Sequence, residues 1–236
     1  LWWVHWVLFV PLLWAMRKDD TTGNIFLAYL CGYAGLCTNF FWLAETIVIY
    51  SNLPPVLCIL AVHLYAMVFA IPWAFGFSAA HALRSRYGAW WIALLPAWIV
   101  VLEFYVWTIF PWYHGSTQYR ALPIVQISSV TGIVGVSWLV LFFNCALAEW
   151  GFRRREGRGV PKLPLAVAVG LALANAAFGF WRIQQVEKET ELTDSTRPTG
   201  GAELPSEAGF ATRPPIRHAL PASLPPPVQR SGDALP

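Results

Sequence analysis

Four ionisable side chains lie within long apolar runs of this sequence, at His5, Glu45, His63 and Glu103. An ionisable group in an apolar environment is costly, so each is a candidate for function. Each also has a structural interpretation: Glu45 reaches interfacial water, His5 is interfacial near the chain end, and His63 is a neutral hydrogen-bonding group between helices. Glu103 is the deepest, and no basic residue follows it at helical spacings of three or four positions. It therefore needs a partner from another helix, or protonation.

An aromatic and polar segment follows Glu103. Pro111 ends the apolar run, the sequence Trp-Tyr-His at 112–114 predicts an aromatic turn, and Gly-Ser-Thr-Gln at 115–118 is polar and flexible. Aromatic rings pack against acyl chains while polar groups meet a headgroup, so this pattern suits a lipid-binding site. The alternative interpretation is an ordinary interfacial anchor loop.

The composition indicates that lipid is the solvent for most of the chain. Hydrophobic residues make up 57% and charged residues 12%, about half of the roughly 25% charged residues of a soluble domain. A bilayer-spanning helix needs about 20 apolar residues, and non-alternating runs of this length exclude a barrel. Six runs are candidates, at 1–16, 23–49, 55–80, 88–110, 127–150 and 161–181. We therefore predict an all-α integral membrane protein with about six transmembrane helices in a membrane domain over residues 1–184.

The C-terminal segment, residues 185–236, differs in composition from the rest. It is first polar and then rich in proline. Such a segment cannot bury enough apolar surface to offset the entropy of ordering, so we predict a disordered tail.

Lysine and arginine residues are concentrated on one set of loops. The opposite loops, near 50–54 and 111–122, carry only Arg120. Because cytoplasmic loops are enriched in these residues, we expect the basic loops in the cytoplasm and the tail on the opposite, periplasmic side. The net charge of +3 is spread along the chain, so we expect no nucleic-acid partner. The nine residues on the basic loops are Arg17, Lys18, Arg84, Arg86, Arg153, Arg154, Arg155, Arg158 and Lys162.

The four cysteines, Cys31, Cys37, Cys58 and Cys145, all lie in apolar runs and form no Cys-x-x-Cys or Cys/His cluster. We interpret them as small apolar residues that face neighbouring helices; a reactive or metal-binding thiol is the alternative. We expect neither a metal site nor a cofactor.

Several motifs in order resemble the N-terminal membrane region of bacterial apolipoprotein N-acyltransferases. The resemblance covers roughly residues 5–188 and includes PAWIVVLE at 96–103, which ends on Glu103. The positions that carry the central motifs are Phe110, Pro111, Trp112, Gly115, Gln118, Gln126, Gly132, Gly135, Ser137 and Asn144.

The resemblance implies a reaction, a location and a site. The family transfers an acyl chain from a membrane phospholipid to the N-terminal cysteine amine of a diacylglyceryl lipoprotein, in the bacterial inner membrane. Trp112 and its loop would border the substrate cavity. The implied lipid- or substrate-binding residues of this chain are Glu103, Phe110, Pro111, Trp112, Gly115 and Gln118.

Two departures from the family pattern stand out. The family usually has an arginine about three residues after the glutamate, where this chain has Phe104, Tyr105 and Val106. The family's Glu-Lys-Cys triad lies in a nitrilase-like domain, and nothing after residue 188 resembles that domain. We therefore expect a membrane part that lacks the catalytic domain and is inactive alone, with a separate nitrilase-like chain as a candidate partner. A non-catalytic lipid- or lipoprotein-binding module and a small transporter are the alternatives.

Overall fold

The structure, a computed structural model, describes residues 2–51, 53–106, 112–160 and 162–196, and all of its regular elements are helical. Short 3-10 helices lie at Trp2–Trp6, Gly88–Trp90 and His114–Gln118. The α-helices are α1 (Val10–Ala15), α2 (Thr21–Asn39), α3 (Trp42–Ser51), α4 (Pro55–Phe69), α5 (Ile71–Ser78), α6 (Ala80–Tyr87), α7 (Trp91–Tyr105), α8 (Leu122–Val125), α9 (Ser128–Thr131), α10 (Ile133–Arg155) and α11 (Lys162–Thr196).

Helix α10 is the centre of the fold. It begins after Gly132, whose φ of 69° is readily adopted only by glycine. The helix then packs against α1, α7 and the His114–Gln118 segment. Its buried apolar side chains include Val136, Val140 and Leu141, so α10 is a buried helix.

Asn144 on α10 fixes the start of the chain. Its side-chain oxygen accepts a hydrogen bond from the backbone N–H of Phe9 at 2.9 Å. Its amide nitrogen donates to the backbone carbonyl of His5 at 2.9 Å, and also to that of Val140 within the same helix. Asn144 is fully buried, so these bonds satisfy backbone groups that no water reaches.

A buried carboxylate joins α10 to the α6–α7 region. Glu149 accepts hydrogen bonds from Arg84 at 2.8 Å, from the indole N–H of Trp91 at 2.9 Å and from Arg153 at 2.9 Å. Trp91 is fully buried, although it lies near the start of the predicted run 88–110. The hydrogen bond to Glu149 explains its position, because a buried indole N–H needs an acceptor.

The segment from Pro55 to Tyr105 reverses direction in the middle. Gly88 lies at the reversal with a φ of 55°. Beyond it α7 runs back along α5, so that a side chain added at Gly76 would lie 3.3 Å from Leu102 and 3.5 Å from Ile99. The segment therefore contains two antiparallel apolar arms, as the predicted runs 55–80 and 88–110 require.

Three helical segments within the described ranges are long and apolar enough to cross a membrane: Pro55–Tyr105, which contains α4 to α7, Ile133–Arg155 and Lys162–Leu192. A fourth is obtained if α2 and α3, which meet at a bend of 54°, form one broken span. The predicted first run, 1–16, contains only short helices. The chain is therefore a helical membrane protein with three or four candidate spans among these residues, and the sixfold crossing remains a prediction.

The structure differs from the sequence expectation at the start of the tail. Helix α11 continues to Thr196, beyond residue 185 where we expected disorder to begin. Glu187, Lys188 and Glu189 favour helix, and they extend the apolar helix that precedes them. Residues 197–236 lie outside the described residues, so the disorder of that part stays a prediction.

We expect Asn144→Ala to destabilise the fold, because Phe9 N–H and the carbonyl of His5 lose their partner. The free energy of unfolding should fall by about 1–3 kcal/mol, measured as a lower thermal midpoint in detergent. The matched control is Asn39→Ala, because Asn39 is exposed and its amide bonds only to Gly35 in its own helix. Equal effects of the two substitutions would contradict this role of Asn144.

Candidate lipid-binding site

A cavity of about 70 Å³ lies between α4, α5, α7 and the segment that begins at Trp112. We call it the aromatic cavity. Its walls are almost entirely apolar, and its polar groups come from two neighbouring residues. The lining residues are Phe69, Pro72, Trp73, Gly76, Phe77, Ile99, Leu102, Glu103, Val106, Trp112 and His114.

Glu103 and His114 form the polar part of the aromatic cavity. The backbone N–H of His114 donates to Oε1 of Glu103 at 2.7 Å, and the imidazole Nδ1 contacts the same oxygen. The two side chains are only 7% and 2% exposed. The partner of Glu103 is thus His114, eleven positions later, which begins the 3-10 helix His114–Gln118.

The pairing leaves two buried polar atoms free. Oε2 of Glu103 and Nε2 of His114 have no hydrogen-bond partner among the described residues. Nε2 of a histidine accepts a hydrogen bond or donates one, depending on the protonation of the ring. Each free atom can therefore form a hydrogen bond with a polar group that enters the cavity.

Aromatic rings enclose this pair. The ring of Trp112 stacks on that of Trp73 with centroids 6.0 Å apart, and His114 lies 4.9 Å from Trp73 and 5.2 Å from Trp112. Phe9 packs edge-on against His114 at 5.1 Å. Trp112 is half-buried, so one part of its ring faces the cavity wall and another part remains accessible.

Gly115 packs the segment that begins at Trp112 closely against α10. Its N–H donates to the hydroxyl of Ser137 at 2.8 Å. A Cβ at Gly115 would lie 2.6 Å from the carbonyl oxygen of Ile133 and 2.9 Å from the backbone N of Ser137. Only glycine allows this close approach of two backbones. Gly115 therefore positions the neighbouring His114 and does not line the aromatic cavity.

Gln118 also has an interior position. It accepts a hydrogen bond from the indole of Trp6 at 3.0 Å and donates to the carbonyl of Trp2 at 3.0 Å. Since Gln118 is fully buried, its contacts hold the chain start against the segment. Phe110 and Pro111, the other two predicted site residues, lie outside the described residues.

His5 is buried, which corrects the expectation that it is interfacial. Its ring lies 5.5 Å from His114, 5.3 Å from Phe9 and 6.1 Å from Trp112. The reason is the hydrogen bond from Asn144 to the His5 carbonyl, which holds the chain start inside the fold.

The other two ionisable candidates, Glu45 and His63, do not line the aromatic cavity. Glu45 is exposed on α3. His63 on α4 is hydrogen-bonded through Nδ1 to the hydroxyl of Tyr33 on α2 at 2.7 Å. Sequence reasoning missed Trp73, which forms a wall of the aromatic cavity. The sequence feature that indicates it is the Pro-Trp pair that precedes Gly76 in α5.

The helices and the aromatic cavity define a multi-pass membrane protein with an apolar site. Residues 1–146 match the family described as the apolipoprotein N-acyltransferase N-terminal domain. The chain belongs to this family, and it is the membrane N-terminal region that matches.

Three relatives, each named apolipoprotein N-acyltransferase, are similar to the chain. The Geobacter metallireducens protein is 30% identical over 190 residues, 77% of this chain and 36% of the relative. The Thermotoga maritima protein is 25% identical over 170 residues, 64% and 32% of the two chains. The Allorhizobium ampelinum protein is 28% identical over 199 residues, 77% and 36%. The chain thus spans about a third of the length of these relatives. No solved structure matches it.

We expect Glu103→Ala to loosen the segment at 114–118, because His114 loses the acceptor of its backbone N–H and of its imidazole. The amides of this segment should exchange with deuterium about tenfold faster, as the loss of one buried hydrogen bond predicts. Glu45→Ala is the matched control, since Glu45 is an exposed glutamate of the same membrane domain. Unchanged exchange in Glu103→Ala would show that the Glu103–His114 pair does not hold the segment.

Proposed function

We propose that this chain is the membrane region of an apolipoprotein N-acyltransferase that binds the acyl chains of its substrates at the aromatic cavity. Those substrates are a phospholipid donor and a diacylglyceryl lipoprotein acceptor. Acyl transfer itself belongs to the nitrilase-like part of the family, and the chain alone binds without turnover. The observation that carries the proposal is the stacked pair Trp73 and Trp112 at the wall of an apolar cavity.

The cavity has the chemistry of an acyl-chain site. Phe69, Ile99 and Leu102 offer apolar walls, and Glu103 and His114 add ionisable groups. Ligand sites of this kind combine apolar walls with a few polar groups that set orientation. A hydroxyl or amine next to an acyl chain can form hydrogen bonds with the free atoms of Glu103 and His114 while the chain packs on the rings.

An apolar outer surface adjoins the cavity. Phe75 and Phe104 are largely exposed, and they neighbour the lining residues Gly76 and Glu103 in α5 and α7. Exposed aromatic residues beside a cavity favour contact with lipid over contact with water. An acyl chain can therefore move laterally from the bilayer to Trp112 without crossing an aqueous layer.

We further propose that the membrane domain crosses the bilayer six times, with the basic loops in the cytoplasm and the tail in the periplasm. The reversal at Gly88 supports this count because it separates two antiparallel apolar arms. The reversal lies next to Arg84 and Arg86, whereas Glu103 lies at the other end of α7. With basic loops inside, the aromatic cavity is at the periplasmic end, where lipoprotein substrates are presented.

We expect Trp112→Ala to weaken the binding of a phospholipid or of a diacylated lipopeptide by about tenfold, as the loss of one buried aromatic contact predicts. Binding to the purified protein in detergent can be measured with a fluorescent acyl chain. Trp150→Ala is the control, because Trp150 lies on α10 outside the lining of the aromatic cavity. Equal losses of binding from both substitutions would indicate that the Trp112 segment is an interfacial anchor and not a lipid-binding site.

A further inference from the structure

A second cavity lies at the other end of α10. It has a volume of about 340 Å³ and lies between the α1–α2 connection, the α6–α7 turn and the end of α10. Lys18, Arg84, Arg153 and Arg158 line it, and we call it the basic cleft. Ser137 below the aromatic cavity and Arg153 in the basic cleft are about 24 Å apart along the helix axis. The two cavities are therefore separate sites.

The carboxylates that line the basic cleft already form ion pairs with Arg84. Arg84 bonds to Glu149 at 2.8 Å and to Glu156 at 2.6 Å, and its guanidinium lies 5.0 Å from the centre of the Phe152 ring. The hydrogen bond from Arg84 holds the pKa of Glu156 below its usual range, so this carboxylate is ionised at neutral pH. These contacts of Arg84 connect α6 to the C-terminal end of α10.

Cationic groups of the cleft remain available. Lys18 is exposed and has neither an ion pair nor a hydrogen bond from its ammonium group within the described part of the chain. Arg158 reaches Glu156 only at 3.4 Å and is 69% exposed. Four cationic side chains face two carboxylates, so the cleft has two positive charges in excess.

The surroundings of the cleft indicate a membrane–water interface. Gly88 and Ala89 form one of its edges. Their neighbour Trp90 is 74% exposed, and Tyr87 is 47% exposed. Exposed tryptophan and tyrosine residues mark the level of lipid headgroups. An anion that binds here is therefore next to acyl chains, which favours a lipid headgroup over a soluble ion.

We propose that the basic cleft binds the phosphodiester headgroup of an anionic phospholipid. Lys18 and Arg158 contact the phosphate oxygens, and Arg153, which uses Nε for Glu149, offers its terminal N–H groups. The acyl chains extend along the exposed face of Trp90. Such a lipid links the α1–α2 connection to the end of α10. This site goes beyond the proposed function, because it requires neither the aromatic cavity nor acyl transfer.

The test compares two charge-matched double variants of the purified chain in detergent. Lys18→Gln with Arg158→Gln removes two charges from the cleft. Arg17→Gln with Arg154→Gln removes two exposed charges that do not line it. Native mass spectrometry counts bound dioleoylphosphatidylglycerol during a titration. Dioleoylphosphatidylcholine is the zwitterionic comparison, and inorganic phosphate is the competitor.

The wild-type protein and the control variant should retain one phosphatidylglycerol at similar concentrations, within about twofold. The cleft variant should need at least about tenfold more lipid, since each basic residue near a lipid surface contributes about fivefold. Equal weakening in both variants, equal retention of phosphatidylcholine, or displacement of the lipid by inorganic phosphate would each overturn the proposal.

A second measurement uses the wild-type chain alone. Bound phosphatidylglycerol should protect the Lys18 amine from an acylating reagent, whereas the exposed Lys188 should react at an unchanged rate. Equal reactivity of Lys18 with and without the lipid would overturn the proposal even if the variants failed to fold.

Discussion

The fold depends on polar side chains that one buried helix carries into an apolar interior. Ser137, Asn144 and Glu149 of α10 are all buried, and each bonds to a different part of the chain. Ser137 holds the segment after α7, Asn144 holds the chain start, and Glu149 holds α6 and α7. Buried polar groups require partners, because lipid and apolar side chains offer none. Apolar helix faces can slide past one another, whereas these hydrogen bonds specify which segments meet and in which register.

The aromatic cavity is a consequence of this arrangement. The close approach of Gly115 to α10 brings His114 over Glu103, and the chain start places Phe9 against the same imidazole. Trp112 then stacks on Trp73 from α5. The cavity wall is thus assembled from α4, α5, α7 and the segment that begins at Trp112. Helix α10 forms hydrogen bonds with two of these, the segment through Ser137 and α7 through Glu149, without lining the cavity itself. The same helix ends in the basic cleft, so α10 positions polar groups towards both of its ends.

The sequence was informative about elements and much less so about pairings. Long apolar runs and a buried glutamate without an intrahelical partner predicted a helical membrane protein and a polar contact for Glu103. The motif around Trp112 indicated the family, which the match over residues 1–146 confirms. The burial of His5 and Trp91 could not be predicted, because their burial depends on Asn144 and Glu149, which are distant in the chain. Apolar runs also hide which face is buried, since lipid and neighbouring helices are equally apolar. Gly115 and Gln118, which the resemblance implied as lipid- or substrate-binding residues, are buried and hydrogen-bond to α10 and to the chain start.

The central claim is that acyl chains bind at the aromatic cavity, whose wall includes Trp73 and Trp112, and photo-crosslinking tests it most directly. A phospholipid with a photoreactive group in its acyl chain would be incorporated with the protein into vesicles, irradiated, and its adducts mapped by peptide mass spectrometry. The account predicts adducts concentrated in residues 69–77, 99–106 and 112–114, which contain the lining of the aromatic cavity. Adducts distributed evenly over exposed apolar faces, such as that of α11, would contradict it.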